Sequence, residues 1–168
     1  MANQKLTALT ENESPALEDL VYSVDDPSVS PLSRKVTLQN VMELAPYWVD
    51  RGDPSAADFS IGDLTADGAY HDMDLSSIVP AGATQVRLGI FLSNSQGTGQ
   101  WKVRFRKNGN SNSHHAPMIR TSVANLVIDG SLQVFCDSSR VIEYQLENDA
   151  NYTQVDITVL GWFIDTVN

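Results

Sequence analysis

The chain has 168 residues, 42% of them hydrophobic and 19% charged, which suits one folded domain with a small appendage and excludes a disordered chain. Its formal net charge is -10, and because an acidic protein repels phosphate backbones we expect no nucleic-acid partner. No apolar run approaches the ~20 residues of a membrane helix, and the start, MANQKLTALTENE, lacks the basic and apolar regions of a secretory signal. We therefore expect no membrane partner either.

The charge is distributed unevenly along the chain. Residues 1–74 carry 14 acidic and 4 basic residues, whereas residues 75–168 carry 7 of each. This asymmetry indicates two parts with different roles. The acidic first part suits a basic surface on a partner protein, although carboxylates that only keep the chain in solution would give the same composition.

The first predicted element is a hairpin that follows a polar, extended arm over residues 1–16. The alternation of Leu20, Tyr22 and Val24 predicts a short strand, and the sequence SRKVTLQNV predicts a second one. Between them, the sequence DDPS supplies turn residues.

A short helix is predicted next, with Thr37 as its N-cap and its end before Pro46. Residues 1–45 are therefore interpreted as an arm with a small hairpin–helix module. Because a lone hairpin is marginal in water, we expect this module to need a partner surface.

Residues 46–68 are rich in Asp, Gly, Pro and Ser and show no period, which indicates a linker. Tyr47 and Trp48 lie in it, and we expect these aromatic residues to dock the linker on the rest of the chain or on a partner.

The sequence of residues 69–168 predicts seven or eight short strands with turns between them. Val86, Leu88, Ile90 and Leu92 form the clearest inward row, and the last strand, YTQVDITVLGWFI, is apolar on both faces. We expect that strand to be central or buried between subunits. The predicted fold class is all-β, a β-sandwich or jelly-roll-like knob.

The sequence offers little catalytic or metal-binding chemistry. His71, His114 and His115 accompany no nucleophile motif, and the acidic residues from 63 to 74 do not match a calcium loop. Cys136 lies in an alternating apolar pattern and is interpreted as a small buried hydrophobe. We therefore predict no catalytic, cofactor-binding or metal-binding residues.

Basic residues cluster on one predicted strand, QWKVRFRKNGN, where Lys102, Arg104 and Arg106 alternate with apolar residues. Such a row could contact an anionic glycan or an acidic partner. It could equally pair with carboxylates of the adjacent strand.

The sequence LTALTENESPALEDLVYSVDDPSVSPLSRKVTLQNV, residues 6–41, resembles a module found near the N-termini of tailed-phage virion proteins. The resemblance implies a virion-anchoring piece, often trimeric, on fibres, spikes or capsid-decorating proteins. It identifies no catalytic residues. This chain has no long shaft, which favours a compact capsid decoration or cement protein over a fibre.

Together these observations predict a non-enzymatic virion protein that braces the capsid shell. The expected partners are the major capsid protein or another virion protein, and a homotrimer of the chain itself. The predicted attachment residues are Leu20, Tyr22, Val24, Val36 and Leu38. The alternative is a tail or head fibre knob that recognises a host surface glycan, and a polysaccharide depolymerase is the third and weakest hypothesis.

Overall fold

The computed structural model describes residues 20–25, 32–37, 46–96, 101–147 and 151–165, the first two ranges by their backbone alone. The chain divides into two compact units, Met1–Ala45 and Pro46–Asn168. We call the second unit the body.

In the first unit, β1 (Leu20–Asp25) and β2 (Leu32–Thr37) form a two-stranded antiparallel sheet. The strands lie where the alternating residues predict them. The helix predicted after Thr37 and the extended arm lie outside the described residues, so the arm with its hairpin–helix module stays a prediction.

The described part of the body is built from antiparallel strands and two short 3₁₀ turns, Ile61–Asp63 and Ser113–His115. The strands are β3 (Tyr47–Asp50), β4 (Tyr70–Asp74), β5 (Ala83–Asn94), β6 (Trp101–Lys107), β7 (Met118–Thr121), β8 (Ile128–Phe135), β9 (Val141–Leu146) and β10 (Tyr152–Ile164). The prediction of an all-β protein is therefore confirmed. Within these ranges, the structure contains no membrane-spanning helix candidate.

The strands form two four-stranded sheets. The first sheet has the order β3-β10-β5-β8, and the second has the order β4-β9-β6-β7. Their inner faces share one apolar core, as in a β-sandwich. Burying each large side chain of this core contributes on the order of 1.5–3 kcal/mol to folding.

The alternation in the sequence correctly identifies the inner row of both sheets. Val86, Leu88, Ile90 and Leu92 of β5 are almost fully buried. On β6, Val103 and Phe105 are buried, and the basic residues alternate with them.

Strand β10 lies between β3 and β5, so of the two alternatives from the sequence, a central strand or one buried between subunits, the structure shows the first. Its apolar residues do not simply divide between two faces, because a bulge between Val159 and Gly161 shifts the alternation. Before the bulge, Val159 is buried opposite Leu88. After it, Trp162 lies opposite the buried Val86 and packs against the same core.

The interpretation of residues 46–68 as a linker is wrong, because this segment is bound along the free edge of β10. Residues 47–50 pair with residues 161–164 as β3, and Phe59 forms a bridge with Ile157. The sequence did not predict this edge strand, because turn-forming residues interrupt its alternating pattern. Those residues do not separate two domains. The body therefore begins at Pro46 rather than at residue 69.

An ion pair holds the interrupted part of this edge. Asp58 Oδ2 accepts a hydrogen bond from the backbone N–H of Val159 at 2.8 Å and pairs with the Arg51 guanidinium. Arg51 also donates to the backbone carbonyl of Val159 at 3.1 Å. The side chains thus satisfy the polar groups of β10 where no neighbouring backbone reaches them. Arg51 has this structural role, although it begins the tripeptide Arg-Gly-Asp.

We expect Asp58→Ala to lower the free energy of unfolding of the protein by about 2–3 kcal/mol, because it leaves the Arg51 cation and the Val159 N–H without their acceptor. Urea denaturation followed by tryptophan fluorescence measures the change. The control is Asp53→Ala, which removes an exposed carboxylate of the same segment. Equal stability of both variants would mean that the segment is not held by this pair.

Candidate functional site

Four of the five predicted attachment residues lie on β1 and β2, and Leu38 lies outside the described residues. The register pairs Leu20 with Thr37, Tyr22 with Lys35, Val24 with Ser33 and Val36 with Val21. Their role in attachment stays a prediction.

The basic row on β6 is largely neutralised by neighbouring carboxylates. Lys102 Nζ lies 2.6 Å from Glu147 Oε1, and Arg106 pairs with Glu143, its cross-strand neighbour on β9. The Arg106 guanidinium also stacks on the Tyr70 ring, 3.6 Å from its centroid. The Lys102 and Arg106 side chains are only 17% and 13% exposed. Pairing within the sheet, one of the two alternatives from the sequence, is therefore what these two residues do.

Arg104 stands between the two pairs, with Gln145 and Met118 as its register neighbours. Within the described residues it forms no ion pair. One cation alone does not make the row a glycan site.

The acidic residues between 63 and 74 act locally rather than as one cluster. The backbone N–H and hydroxyl of Ser60 donate to Asp63 and lower its pKa. A hydrogen bond from His71 at 2.8 Å lowers the pKa of Asp67, and hydrogen bonds from Ser76 lower that of Asp74. Each of these three carboxylates orders its own turn.

The remaining candidate groups are scattered. His114 and His115 lie in a 3₁₀ turn between β6 and β7, away from His71 on β4. In the ranges that the structure describes, no three metal-ligating side chains come together. Cys136 is buried, its Sγ–H donates to the Ala83 carbonyl at 3.3 Å, and burial raises the pKa of its thiol. The interpretation of Cys136 as a buried hydrophobe is confirmed.

The outer face of the first sheet carries a group of large apolar side chains, which we call the outer apolar strip. Trp48 and Phe163 pack together with ring centroids 5.2 Å apart, and Phe91 is 48% exposed. Leu160 lies beside them, over Gly89. An antiparallel sheet usually turns polar side chains to water on its outer face. The strip is therefore a candidate interaction surface.

Two glycines make room for the strip. A Cβ atom at Gly161 would lie 2.4 Å from Trp48 Cζ2, and one at Gly89 would lie 3.2 Å from Leu160 Cδ2. The indole and the leucine side chain therefore lie directly on the backbone of the sheet.

A shallow cleft of about 340 Å³ opens over Gly89, between Phe91 and Leu160. Asp129 and Ser131 also line it. An apolar floor with polar groups beside it is the usual make-up of a protein–protein contact.

Sequence reasoning did not identify this strip as a surface. Phe91 was detectable, because it sits out of phase between two core residues, Ile90 and Leu92. The outward position of Leu160 depends on the bulge, and that of Trp48 depends on an edge strand that resembled a linker. The local alternation of apolar and polar residues in the sequence indicates neither of these two positions.

Neither the protein-family models nor the curated proteins contain a match to this chain.

We expect Glu143→Ala to lower the free energy of unfolding by about 1–3 kcal/mol, because it leaves Arg106 partly buried without its carboxylate. Arg104→Gln is the control and should change stability by less than about 0.5 kcal/mol. Urea denaturation of both variants measures these changes, and the cycle of Arg106→Gln, Glu143→Gln and their double variant measures the coupling between the two side chains. Fully additive effects in this cycle would show that Arg106 and Glu143 do not stabilise each other.

Proposed function

We propose that this chain is a non-enzymatic structural protein of a tailed-phage virion, a homotrimeric capsid decoration or cement protein. Its first unit would attach to the major capsid protein or to another virion protein. Its body would be a jelly-roll knob that braces neighbouring subunits.

The observation that carries the proposal is the outer apolar strip. Phe91 and Trp48 are 48% and 37% exposed on a sheet whose inner face already supplies the core. Exposed apolar patches of this kind commonly mark surfaces that another protein covers. Trimer formation would bury them.

The strand orders support the jelly-roll part of the proposal. Counted from β3 as the first strand of the body, the two sheets run 1-8-3-6 and 2-7-4-5. Two Greek keys folded on each other give these orders, an architecture used by viral capsid proteins and by lectins. The topology therefore suits a structural role and a binding role equally.

The resemblance of residues 6–41 to a virion-anchoring module supports the attachment part of the proposal. The two-stranded sheet of β1 and β2 is small, and such a sheet gains stability from a partner surface. Strand addition to an open edge is one way to gain it.

We expect the protein to elute as a trimer, and Phe91→Lys to yield monomers, because a lysine in the strip would leave a charge in the buried contact. Size-exclusion chromatography with light scattering measures the mass. Met118→Lys, at an equally exposed apolar residue of the second sheet, is the control and should stay trimeric. A monomeric wild type, or a trimeric Phe91→Lys variant, would contradict the proposed contact.

We expect a chain that lacks residues 1–45 to keep the thermal unfolding of the body but to lose binding to virions that lack the protein. The reason is that the body has a core of its own, whereas the attachment residues are removed. Co-sedimentation with such particles, and the copy number on native virions, measure attachment. Decoration by the shortened chain would contradict attachment through the first unit, and only a dozen copies per virion would contradict the capsid assignment.

A further inference from the structure

An open groove of about 470 Å³ lies where the loop between β6 and β7 faces the end of β8. Lys107, His114 and His115 line one side, and Gln133 and Phe135 of β8 line the other. A volume of a few hundred cubic ångströms is the size of a small-ligand site.

The loop that forms one wall is fixed at both ends. The Asn110 N–H donates to the Lys107 carbonyl at 3.1 Å, and the Phe105 N–H donates to the Pro117 carbonyl at 3.0 Å. The Asn108 amide donates to Asp137 at 2.8 Å, which joins the loop to the turn after β8. Such bonds reduce the ordering cost of binding a ligand.

The groove has a charge opposite to that of the whole chain. Its lining includes one lysine and two histidines and no carboxylate, whereas the chain has a net charge of -10. Lys107 forms no ion pair with any described residue, unlike Lys102 and Arg106 of the same strand. The lining therefore favours an anionic ligand.

Phe135 adds a flat apolar surface at the side of this groove. Its side chain is 57% exposed, the largest exposed fraction among the large hydrophobic residues that the structure describes. An exposed aromatic ring beside hydrogen-bonding groups can stack against the apolar face of a ring-shaped ligand. Asn110 supplies an amide group for the hydroxyls of such a ligand, and Gln133 supplies its amide oxygen, because its Nε2 already donates to Gln85 Oε1.

A second groove shares Lys107 and Phe135 with the first but is lined by Asp137 and Asp165. Hydrogen bonds from the Val141 and Ser139 N–H groups and from Asn108 already occupy Asp137. Carboxylates on that side repel an anion, so the negative end of a ligand would point toward the histidines.

We propose that the first groove binds an acidic saccharide, with its carboxylate toward Lys107, His114 and His115 and the face of its sugar ring on Phe135. This inference goes beyond the proposed structural function. It also moves the candidate glycan contact from the ion-paired basic row on β6 to a different surface.

The test is a titration of the full ¹⁵N-labelled chain with glucuronic acid, in which the chemical shifts of the backbone amides are measured by NMR. Glucose and acetate at the same concentrations separate the ring from the charge. We expect amide shifts at residues 107–116 and 133–135 with glucuronic acid, and much smaller ones with either control.

Three variants assign the contacts. Phe135→Leu and His114→Asn/His115→Asn should each weaken binding about fivefold or more, because each removes one of the two recognition elements. Tyr47→Leu removes an exposed aromatic residue on β3, at the edge of the first sheet opposite β8, and should leave the affinity within about twofold.

The proposal is overturned by acetate shifts that equal those of glucuronic acid, by glucose shifts that equal them, or by unchanged amide signals of residues 107–116. It is also overturned if Phe135→Leu, folded by its amide spectrum, binds as well as wild type. Virion attachment through residues 1–45 is measured separately and does not depend on these results.

Discussion

The body depends on β10 having a hydrogen-bonding partner along both edges. β5 supplies one of them along almost the whole strand, and the segment from Tyr47 to Phe59 supplies the other in two pieces. Between these pieces, Asp58 and Arg51 take the place of a backbone neighbour. A central strand with an unpaired edge would expose or bury unsatisfied polar groups, at a cost of about 1–3 kcal/mol each where they are buried.

The two outer faces of the body are built from different chemistry. The second sheet turns charged side chains outward and pairs Lys102 and Arg106 with carboxylates. The first sheet turns Trp48, Phe91 and Leu160 outward. Paired charges at a surface are well solvated and gain little from being buried. Burying exposed aromatic rings is favourable, because it removes apolar surface from water. This contrast makes the first sheet the better surface for assembly.

The sequence predicted the structural features that follow from the local alternation of apolar and polar residues. It identified the inner row of β5, the alternation of β6 and the two strands of the first unit. It failed at residues 46–68, because an edge strand interrupted by Asp, Pro and Gly has no period, and its hydrogen bonds lie about a hundred residues away. It also missed the groove at Phe135, which forms only when β8 and the loop after β6 come together.

The pairing of Tyr47 with Ile164 brings both ends of the body to one corner. A short peptide could therefore join them, and new termini could be opened at the Asn108–Gly109 turn without breaking any strand. Such a circularly permuted body would keep every neighbour relation within the two sheets. It would also move both termini to the turn after β6, where foreign cargo could be attached.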